Sequence, residues 1–132
     1  MKSVITKILM TTTLLSAIGL TACASLHGEL PTDEELVGAD YGSPISQQEA
    51  VRQAKIFLQH ELKDPGSAMI DWGPIKKGWT GYYNTPLQFG YVLSANINAK
   101  NSYGGYTGYQ QRQFCFLNGV ISRCLPRTGT KN

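Results

Sequence analysis

The hydrophobic pattern of the chain changes its period once, close to Asp64-Pro65, and this change limits the folds that are open to it. Before this point, apolar residues recur at three- and four-residue steps, as on one face of a helix: Val51, Ala54, Phe57, Leu58 and Leu62. After Ala68, short apolar runs are separated by glycine, asparagine and proline, as in a series of strands. One helix followed by consecutive strands predicts an α+β fold.

Local capping signals set the limits of the predicted helix. Ser46-Gln47-Gln48-Glu49 has the pattern of a capping box, in which the Ser46 hydroxyl and the Glu49 carboxylate each accept a backbone N–H. At the other end, Asp64-Pro65 stops the helix because the residue before a proline avoids helical backbone angles. Asp64 is also the type of residue that caps a short turn starting at Pro65. We therefore predict one amphipathic helix between Ser46 and Asp64.

Four apolar runs follow as candidate strands, at residues 69–72, 90–99, 110–117 and 120–125. Asn118-Gly119 separates the last two runs, and this pair predicts a tight hairpin because both residues tolerate positive φ. Residues 73–86 are predicted to form a long loop or a distorted hairpin. The expected domain is a small antiparallel sheet of three to four strands with the helix packed on one face.

The first residues of the chain have the parts of a secretion signal. An apolar stretch at residues 8–20 follows Lys2 and Lys7, and it ends in Leu20-Thr21-Ala22-Cys23. This ending resembles the lipobox of bacterial lipoproteins, in which an aliphatic residue and two small residues precede the cysteine that carries the lipid. The resemblance implies that residues 1–22 are removed and that Cys23 carries diacylglycerol on its sulfur and an acyl chain such as palmitate on its amine.

A transmembrane helix is the alternative interpretation of these residues. The apolar stretch is shorter than the ~20 residues that span a bilayer, and Thr11-Thr12-Thr13 lies in its middle. Two acyl chains anchor a protein stably without crossing the membrane. In enteric lipoproteins an aspartate after the cysteine favours the inner membrane, whereas Ala24 and Ser25 follow here. We therefore expect a cell-envelope lipoprotein on the outer membrane that faces the periplasm.

Charge divides the mature chain into two parts. Residues 23–45 carry five acidic residues and no lysine or arginine, whereas residues 46–132 carry ten basic and four acidic residues. We interpret residues 23–45 as an acidic, flexible linker and residues 46–132 as a single small domain. The basic residues form no Lys/Arg run, which argues against nucleic acid as a partner. Two interpretations stay open, a basic face for anionic partners and ordinary surface charge.

Cys115 and Cys124 are the two cysteines that remain after lipidation of Cys23, in a compartment that permits disulfides. If Asn118-Gly119 forms a two-residue loop, Cys115 faces Ser122 and Cys124 lies diagonally on the same face. A four-residue loop would place the two cysteines directly opposite. Either register permits a structural disulfide, and the absence of a Cys-x-x-Cys motif argues against a redox pair.

Candidate catalytic and metal-binding groups are few. His27 and His60 have no second ligand at a suitable spacing, so we expect no metal and no cofactor apart from the covalent lipid. No Gly-x-Ser-x-Gly elbow is present for a nucleophilic serine. Asp64 and Asp71 could form the carboxylate pair of a cell-wall hydrolase. Because capping and a strand edge already explain these two residues, we expect no catalytic site and no enzyme.

The most unusual segment of the domain is residues 98–109, which is rich in glycine and tyrosine. Its glycines permit tightly turned backbone, and its tyrosines supply flat rings with polar tips. The candidate partner-binding residues are Lys100, Asn101, Tyr103, Tyr106 and Tyr109. The rings could stack on sugars or anchor a protein partner. The alternative is that the tyrosines fold back over the edge of the sheet.

Two motifs carry a resemblance to a known family. Leu62-Lys63-Asp64-Pro65-Gly66-Ser67-Ala68 and Asn98-Ala99-Lys100-Asn101-Ser102-Tyr103-Gly104-Gly105-Tyr106-Thr107-Gly108, with Gly90-Tyr91-Val92 between them, resemble small bacterial and prophage-associated lipoproteins. Members share a Leu-Lys-Asp-Pro-x-Ser-Ala turn and an Asn-Ala-Lys-Asn-Ser-aromatic-Gly-Gly-Tyr-x-Gly segment. The resemblance implies no catalytic residues, and Cys115 and Cys124 are not part of the pattern.

These observations lead to an expectation about function. A small domain on a lipid anchor and a flexible linker is suited to accessory binding, because tethering raises its effective concentration near membrane partners. We expect a non-enzymatic lipoprotein that binds another envelope protein. The first alternative is a glycan- or peptidoglycan-binding module that uses the glycine- and tyrosine-rich segment. The second, ranked lower, is a cell-wall hydrolase.

Overall fold

A computed structural model describes residues 30–132, so Cys23, His27 and the predicted signal peptide lie outside the described residues. Two helices, α1 (Asp33–Gly38) and α2 (Gln47–Glu61), precede a single 3-10 turn (Pro65–Ser67). Five strands follow: β1 (Met69–Gly81), β2 (Gln88–Asn98), β3 (Gln110–Leu117), β4 (Val120–Ser122) and β5 (Arg127–Thr130). Within residues 30–132 no helix has both the length and the apolar character needed to cross a membrane.

The strands form one antiparallel sheet in the order β4-β3-β2-β1-β5. The α+β class and the antiparallel sheet are confirmed, with five strands instead of three to four. For residues 73–86 a long loop is wrong and the distorted hairpin agrees, because β1 continues to Gly81 through a bulge between Trp72 and Ile75 and then turns into its antiparallel partner β2. Gly73-Pro74 occupies this bulge, where a proline is tolerated because the ladder is already interrupted.

Helix α2 begins where the Ser46 hydroxyl accepts a hydrogen bond from the Glu49 backbone N–H, at 3.2 Å. The other half of the predicted capping box is wrong, because the Glu49 carboxylate accepts hydrogen bonds from Arg52 and Gln53 instead. These hydrogen bonds lower the pKa of Glu49 to about 2, and the bond from Arg52 contributes most. Ser46 therefore supplies the side-chain cap of the helix without a reciprocal bond from Glu49.

Two glutamine side chains of α2 hold the backbone of the sheet. Gln47 donates to the Gly73 carbonyl at 2.9 Å and accepts from the Ile75 N–H at 2.7 Å, at the β1 bulge. Gln53 donates to the Gly119 carbonyl at 2.9 Å and accepts from the Ile121 N–H at 2.8 Å, at β4. Each amide thus satisfies a donor and an acceptor of the backbone, as a neighbouring strand would.

The core lies between α2 and one face of the sheet. Ala50, Ala54 and Leu58 recur at four-residue steps on the helix and are buried. They pack on a cluster from the two central strands: Leu93, Ala95, Ile97, Phe114 and Phe116. The two alanines allow the helix to approach the sheet closely. Phe57, which the periodicity placed on the same stripe, stays 39% exposed at the side of the helix.

The opposite face is covered by the chain between β4 and β5, which lie at opposite edges of the sheet. The predicted disulfide between Cys115 and Cys124 is confirmed, with a Cα–Cα distance of 5.2 Å. The hairpin has the two-residue loop, in which Asn118 and Gly119 have φ of 50° and 78° and Cys115 pairs with Ser122. Beyond the disulfide, the Leu125 N–H donates to the Thr80 hydroxyl at 2.6 Å. These two links fix the crossing segment on β3 and β1.

The acidic segment before α2 is not wholly extended. Thr32 and Glu35 form a complete capping box at the start of α1. The Tyr41 hydroxyl donates to the Leu36 carbonyl at 2.6 Å, and the Tyr41 ring contacts Phe89 and Tyr91. Burial, with a smaller contribution from Tyr91, raises the pKa of Tyr41. The described part of the predicted flexible linker therefore contains a helix and packs on the sheet beside the start of β2.

Substitution of Gln53 tests its role in holding β4. Gln53→Ala removes two hydrogen bonds to backbone groups, so we expect the free energy of unfolding to fall by about 1–3 kcal/mol. Gln59→Ala is the matched control, because Gln59 lies on the same helix and is exposed, and its effect should stay within about 0.5 kcal/mol. Urea unfolding of both variants measures the difference. Equal effects would contradict the role assigned to Gln53.

Candidate functional site

The two motifs that carry the family resemblance meet at one end of the sheet. The turn at residues 62–68 leads from α2 into β1, and the loop at residues 99–109 connects β2 with β3. Asp64 stands before the 3-10 turn, but its side chain makes no capping hydrogen bond. Its carboxylate lies 3.7 Å from the Lys100 ammonium instead. The predicted capping role of Asp64 is therefore wrong, and the residue links the turn to the loop.

Asn101 shapes the tip of the loop. Its side-chain oxygen accepts hydrogen bonds from the N–H of Tyr103 at 2.9 Å and of Gly105 at 3.1 Å. Its backbone N–H donates to the Gly105 carbonyl at 2.8 Å, and its carbonyl accepts from the Gly104 N–H at 3.1 Å. Gly104 has φ of 82°, in the left-handed region that favours glycine. One asparagine thus closes a five-residue turn from both its backbone and its side chain.

The base of the loop is held by a second set of hydrogen bonds. Lys100 and Tyr106 form an isolated antiparallel bridge. The Thr107 N–H and hydroxyl both reach the Ala99 carbonyl, at 3.2 and 3.3 Å. The buried Asn98 side chain accepts from the Gly108 N–H at 3.0 Å. The loop is therefore a short extension of the β2–β3 hairpin with a defined shape.

Three contacts fasten this loop to the turn. The Tyr106 hydroxyl donates to the Ser67 carbonyl at 3.0 Å. The Lys100 ammonium lies 3.7 Å from the Asp64 carboxylate; within the loop, it also lies 5.5 Å from the centre of the Tyr106 ring. The Lys63 ammonium donates to the Ser102 hydroxyl. Lys63, Ser67 and Ser102 were not among the predicted site residues, although all three lie within the two motifs.

The candidate tyrosines differ in exposure. Tyr103 is 97% exposed, whereas Tyr106 and Tyr109 are 47% and 54% exposed. Tyr106 folds back onto the 3-10 turn at Ser67 and not onto the edge of the sheet, whereas the Tyr103 side chain is almost fully exposed. Lys100 and Asn101 hold the loop in place, Lys100 through its ion pair and Asn101 through hydrogen bonds to two N–H groups of the loop. Of the predicted partner-binding residues, Tyr103 has the side chain that is most available to a partner.

Two clefts share Leu62. One, of about 270 Å³, lies between the end of α2 and the 3-10 turn. The other, of about 260 Å³, lies at the base of the loop, beside Ile97 and Thr107. Tyr103 lines neither cleft.

The candidate catalytic residues have separate surroundings. Asp64 is engaged with Lys100, and Asp71 is exposed on β1, in register with Asn96 of β2. His60 is exposed near the end of α2. Among residues 30–132 there is no group of three histidine, cysteine, aspartate or glutamate side chains that could hold a metal ion.

Substitution of Asn101 tests whether this residue fixes the loop. Asn101→Ala removes the two hydrogen bonds to the Tyr103 and Gly105 N–H groups, a loss of about 1–3 kcal/mol in local stability. Exchange of those two amide hydrogens should become about ten- to a hundredfold faster, while the amides of β2 keep their protection. Hydrogen exchange followed by NMR measures both. Asn84→Ala, in the loop between β1 and β2, is the control that should leave the Tyr103 amide unchanged.

Comparison with known proteins adds no relative. No protein-family model, no curated protein and no solved structure matches the chain. The likeness to the family of small lipoproteins therefore rests on the two motifs that meet at this site.

Proposed function

We propose that the protein is a lipid-anchored lipoprotein of the outer membrane, acylated on Cys23 and facing the periplasm, which binds another envelope protein and catalyses no reaction. The loop at residues 99–109 supplies the recognition surface. One observation carries this proposal: the loop is held in a single shape by Asn98, Asn101 and the neighbouring turn, yet it leaves Tyr103 97% exposed.

A loop that is ordered before binding favours affinity. Ordering a side chain at an interface costs about 0.5–1.5 kcal/mol, and this cost falls when the segment already has its bound shape. Tyrosine is enriched among the residues that dominate binding energy, because its large ring buries apolar area and its hydroxyl still finds a polar partner. Tyr103 in a fixed loop has these properties.

The polar contacts favour a protein over a glycan as the partner. Recognition of sugars needs free hydrogen-bonding groups around the ring that stacks on the sugar. Lys100 is engaged by Asp64, and the Asn101 side-chain oxygen is engaged by two N–H groups of the loop. A protein partner needs chiefly a pocket for the Tyr103 ring. A peptidoglycan-binding module is therefore the second candidate, supported by the same exposed ring.

A hydrolase that uses Asp64 and Asp71 is the third candidate. The Asp64 carboxylate lies 3.7 Å from the Lys100 ammonium, whereas Asp71 is exposed on β1. Turnover of cell-wall substrate that is lost in Asp64→Asn or Asp71→Asn, in variants that still fold, would establish this candidate against the proposal.

Lipid anchoring is tested by replacing Cys23. The protein with Cys23 should partition with outer-membrane vesicles and show the mass of a diacylglycerol and an acyl chain, because buried acyl chains contribute ~0.8 kcal/mol per methylene. Cys23→Ser should lose both the added mass and the membrane partitioning. Fractionation of cells followed by mass spectrometry measures the two properties. Membrane partitioning of an acylated Cys23→Ser protein would contradict the lipid site.

The recognition surface is tested by photocrosslinking in intact cells. A photoreactive phenylalanine in place of Tyr103 should give one discrete adduct with an envelope protein. The control is the same replacement at Tyr82, which is 51% exposed and lies between β1 and β2, at the far end of β2 from the loop. Once the partner is purified, Tyr103→Ala should weaken its binding by about thirtyfold, the effect of losing about 2 kcal/mol.

The crosslinking experiment separates the candidates. A protein adduct at position 103 and none at position 82 supports the proposal, whereas adducts that contain muropeptides alone would favour the glycan-binding module. Equal adducts at both positions would show contact by chance in a crowded compartment. In that case the loop would not be the recognition surface.

A further inference from the structure

The outer edge of β3 is covered over only part of its length. Strand β4 pairs with Cys115, Phe116 and Leu117, whereas β2 pairs with β3 from Gln110 to Phe116 on the other side. Residues 110–114 therefore have a strand neighbour on one side only, within the described residues 30–132. The pairing between β2 and β3 is regular along this whole stretch.

The backbone groups on this edge can be assigned from the hairpin. A two-residue loop makes Leu117 and Val120 a hydrogen-bonded pair, and hydrogen-bonding residues alternate along an antiparallel strand. Gln113 and Gln111 therefore direct their N–H and C=O groups outward, beyond the end of β4. The Gln113 carbonyl oxygen lies 3.4 Å from the Cys124 sulfur, on the side of β4, which agrees with this assignment.

A cleft of about 550 Å³ lies beside this edge, between α2, β3 and the end of β4. Its apolar walls include Phe57 and Phe114, whose rings meet edge to face with centres 6.1 Å apart. Arg112 and Arg123 also line the cleft. Arg112 pairs with Glu61 at 3.1 Å, whereas Arg123 is exposed and makes no ion pair with any residue in the described part of the chain. The cleft thus combines apolar walls with one unneutralised positive charge.

We propose that an extended segment of a partner protein, with alternating acidic and apolar residues, adds as a strand to β3 at residues 110–114. Its backbone pairs with Gln111 and with the Gln113 N–H, since the Cys124 sulfur already contacts the Gln113 carbonyl. Its apolar side chains enter the cleft beside Phe57, and an acidic side chain meets Arg123. Strand addition of this kind draws its affinity from backbone hydrogen bonds and its specificity from the pockets for alternate side chains.

A second copy of this chain fits the edge less well. Antiparallel pairing of two such short free edges would bring the two Arg112 side chains opposite each other or to diagonal positions. Like charges in these positions destabilise strand pairing. Charged residues on edge strands commonly prevent such self-association. Arg123, which makes no ion pair within the described residues, attracts an acidic segment, so the charge selects the kind of partner.

The test uses the full lipidated chain in detergent micelles and a short capped peptide in which glutamate and valine alternate. The peptide should bind, as measured by fluorescence anisotropy, and should slow the hydrogen exchange of the Gln111 and Gln113 amides. A peptide of the same sequence with its two central residues N-methylated should not bind, because at least one missing N–H faces β3. A peptide that alternates lysine with valine controls for charge.

Charge reversal in the protein provides the matched variants. Arg123→Glu should weaken binding by at least about tenfold, whereas Lys76→Glu makes the same change of charge on β1, outside the cleft, and should change binding by less than about twofold. Both residues are exposed, so both variants should fold. Absence of binding at about 1 mM peptide, or equal binding of the N-methylated peptide, would overturn the proposal.

Hydrogen exchange of the protein without peptide shows whether a second copy or another segment of the same chain occupies the edge. Protection of the Gln111 and Gln113 amides that increases with protein concentration would mean that a second copy occupies the edge. Protection that is independent of concentration would mean that a segment of the same chain does so. Either result would replace the proposed partner segment, whereas rapid exchange of both amides before addition of peptide agrees with a free edge.

Discussion

The arrangement of this domain depends on the two glutamine side chains that α2 sends to the sheet. Gln47 holds the β1 bulge and Gln53 holds the start of β4, so one helix is fixed to strands on both sides of the central pair. The buried face of α2 also packs on the sheet through Ala50, Ala54 and Leu58, but these apolar contacts have no direction. The amide hydrogen bonds add directional contacts at two separate points of the sheet.

The parts of the fold that the sequence could predict are those determined by residues close together in the chain. Ser46 caps α2 through a bond to the third residue after it, and Asn118-Gly119 turns the hairpin through its own backbone angles. The disulfide joins residues nine positions apart across this hairpin, which brings Cys115 and Cys124 close in either of the two predicted registers. Each of these features needs no knowledge of the rest of the molecule.

The parts that could not be predicted depend on residues far apart in the chain. Asp64 does not cap its turn and pairs instead with Lys100, which the β2–β3 loop brings near. Strand β1 continues through Gly73-Pro74 because Gln47 satisfies the backbone of its bulge. Helix α1 is the exception, since the spacing of Thr32 and Glu35 is a local signal that could have found it.

The N-terminal segment and the loop at residues 99–109 lie at opposite ends of the sheet. Tyr41 fastens the N-terminal segment beside Phe89, at the start of β2, whereas the loop at residues 99–109 follows Asn98, at its end. At ~3.3 Å per residue, the two places are roughly 30 Å apart along this strand. The described N-terminal segment is therefore fastened to one end of the sheet, and Tyr103 lies in the loop at the other end. A partner that binds Tyr103 would contact the end of the sheet to which this segment is not fastened.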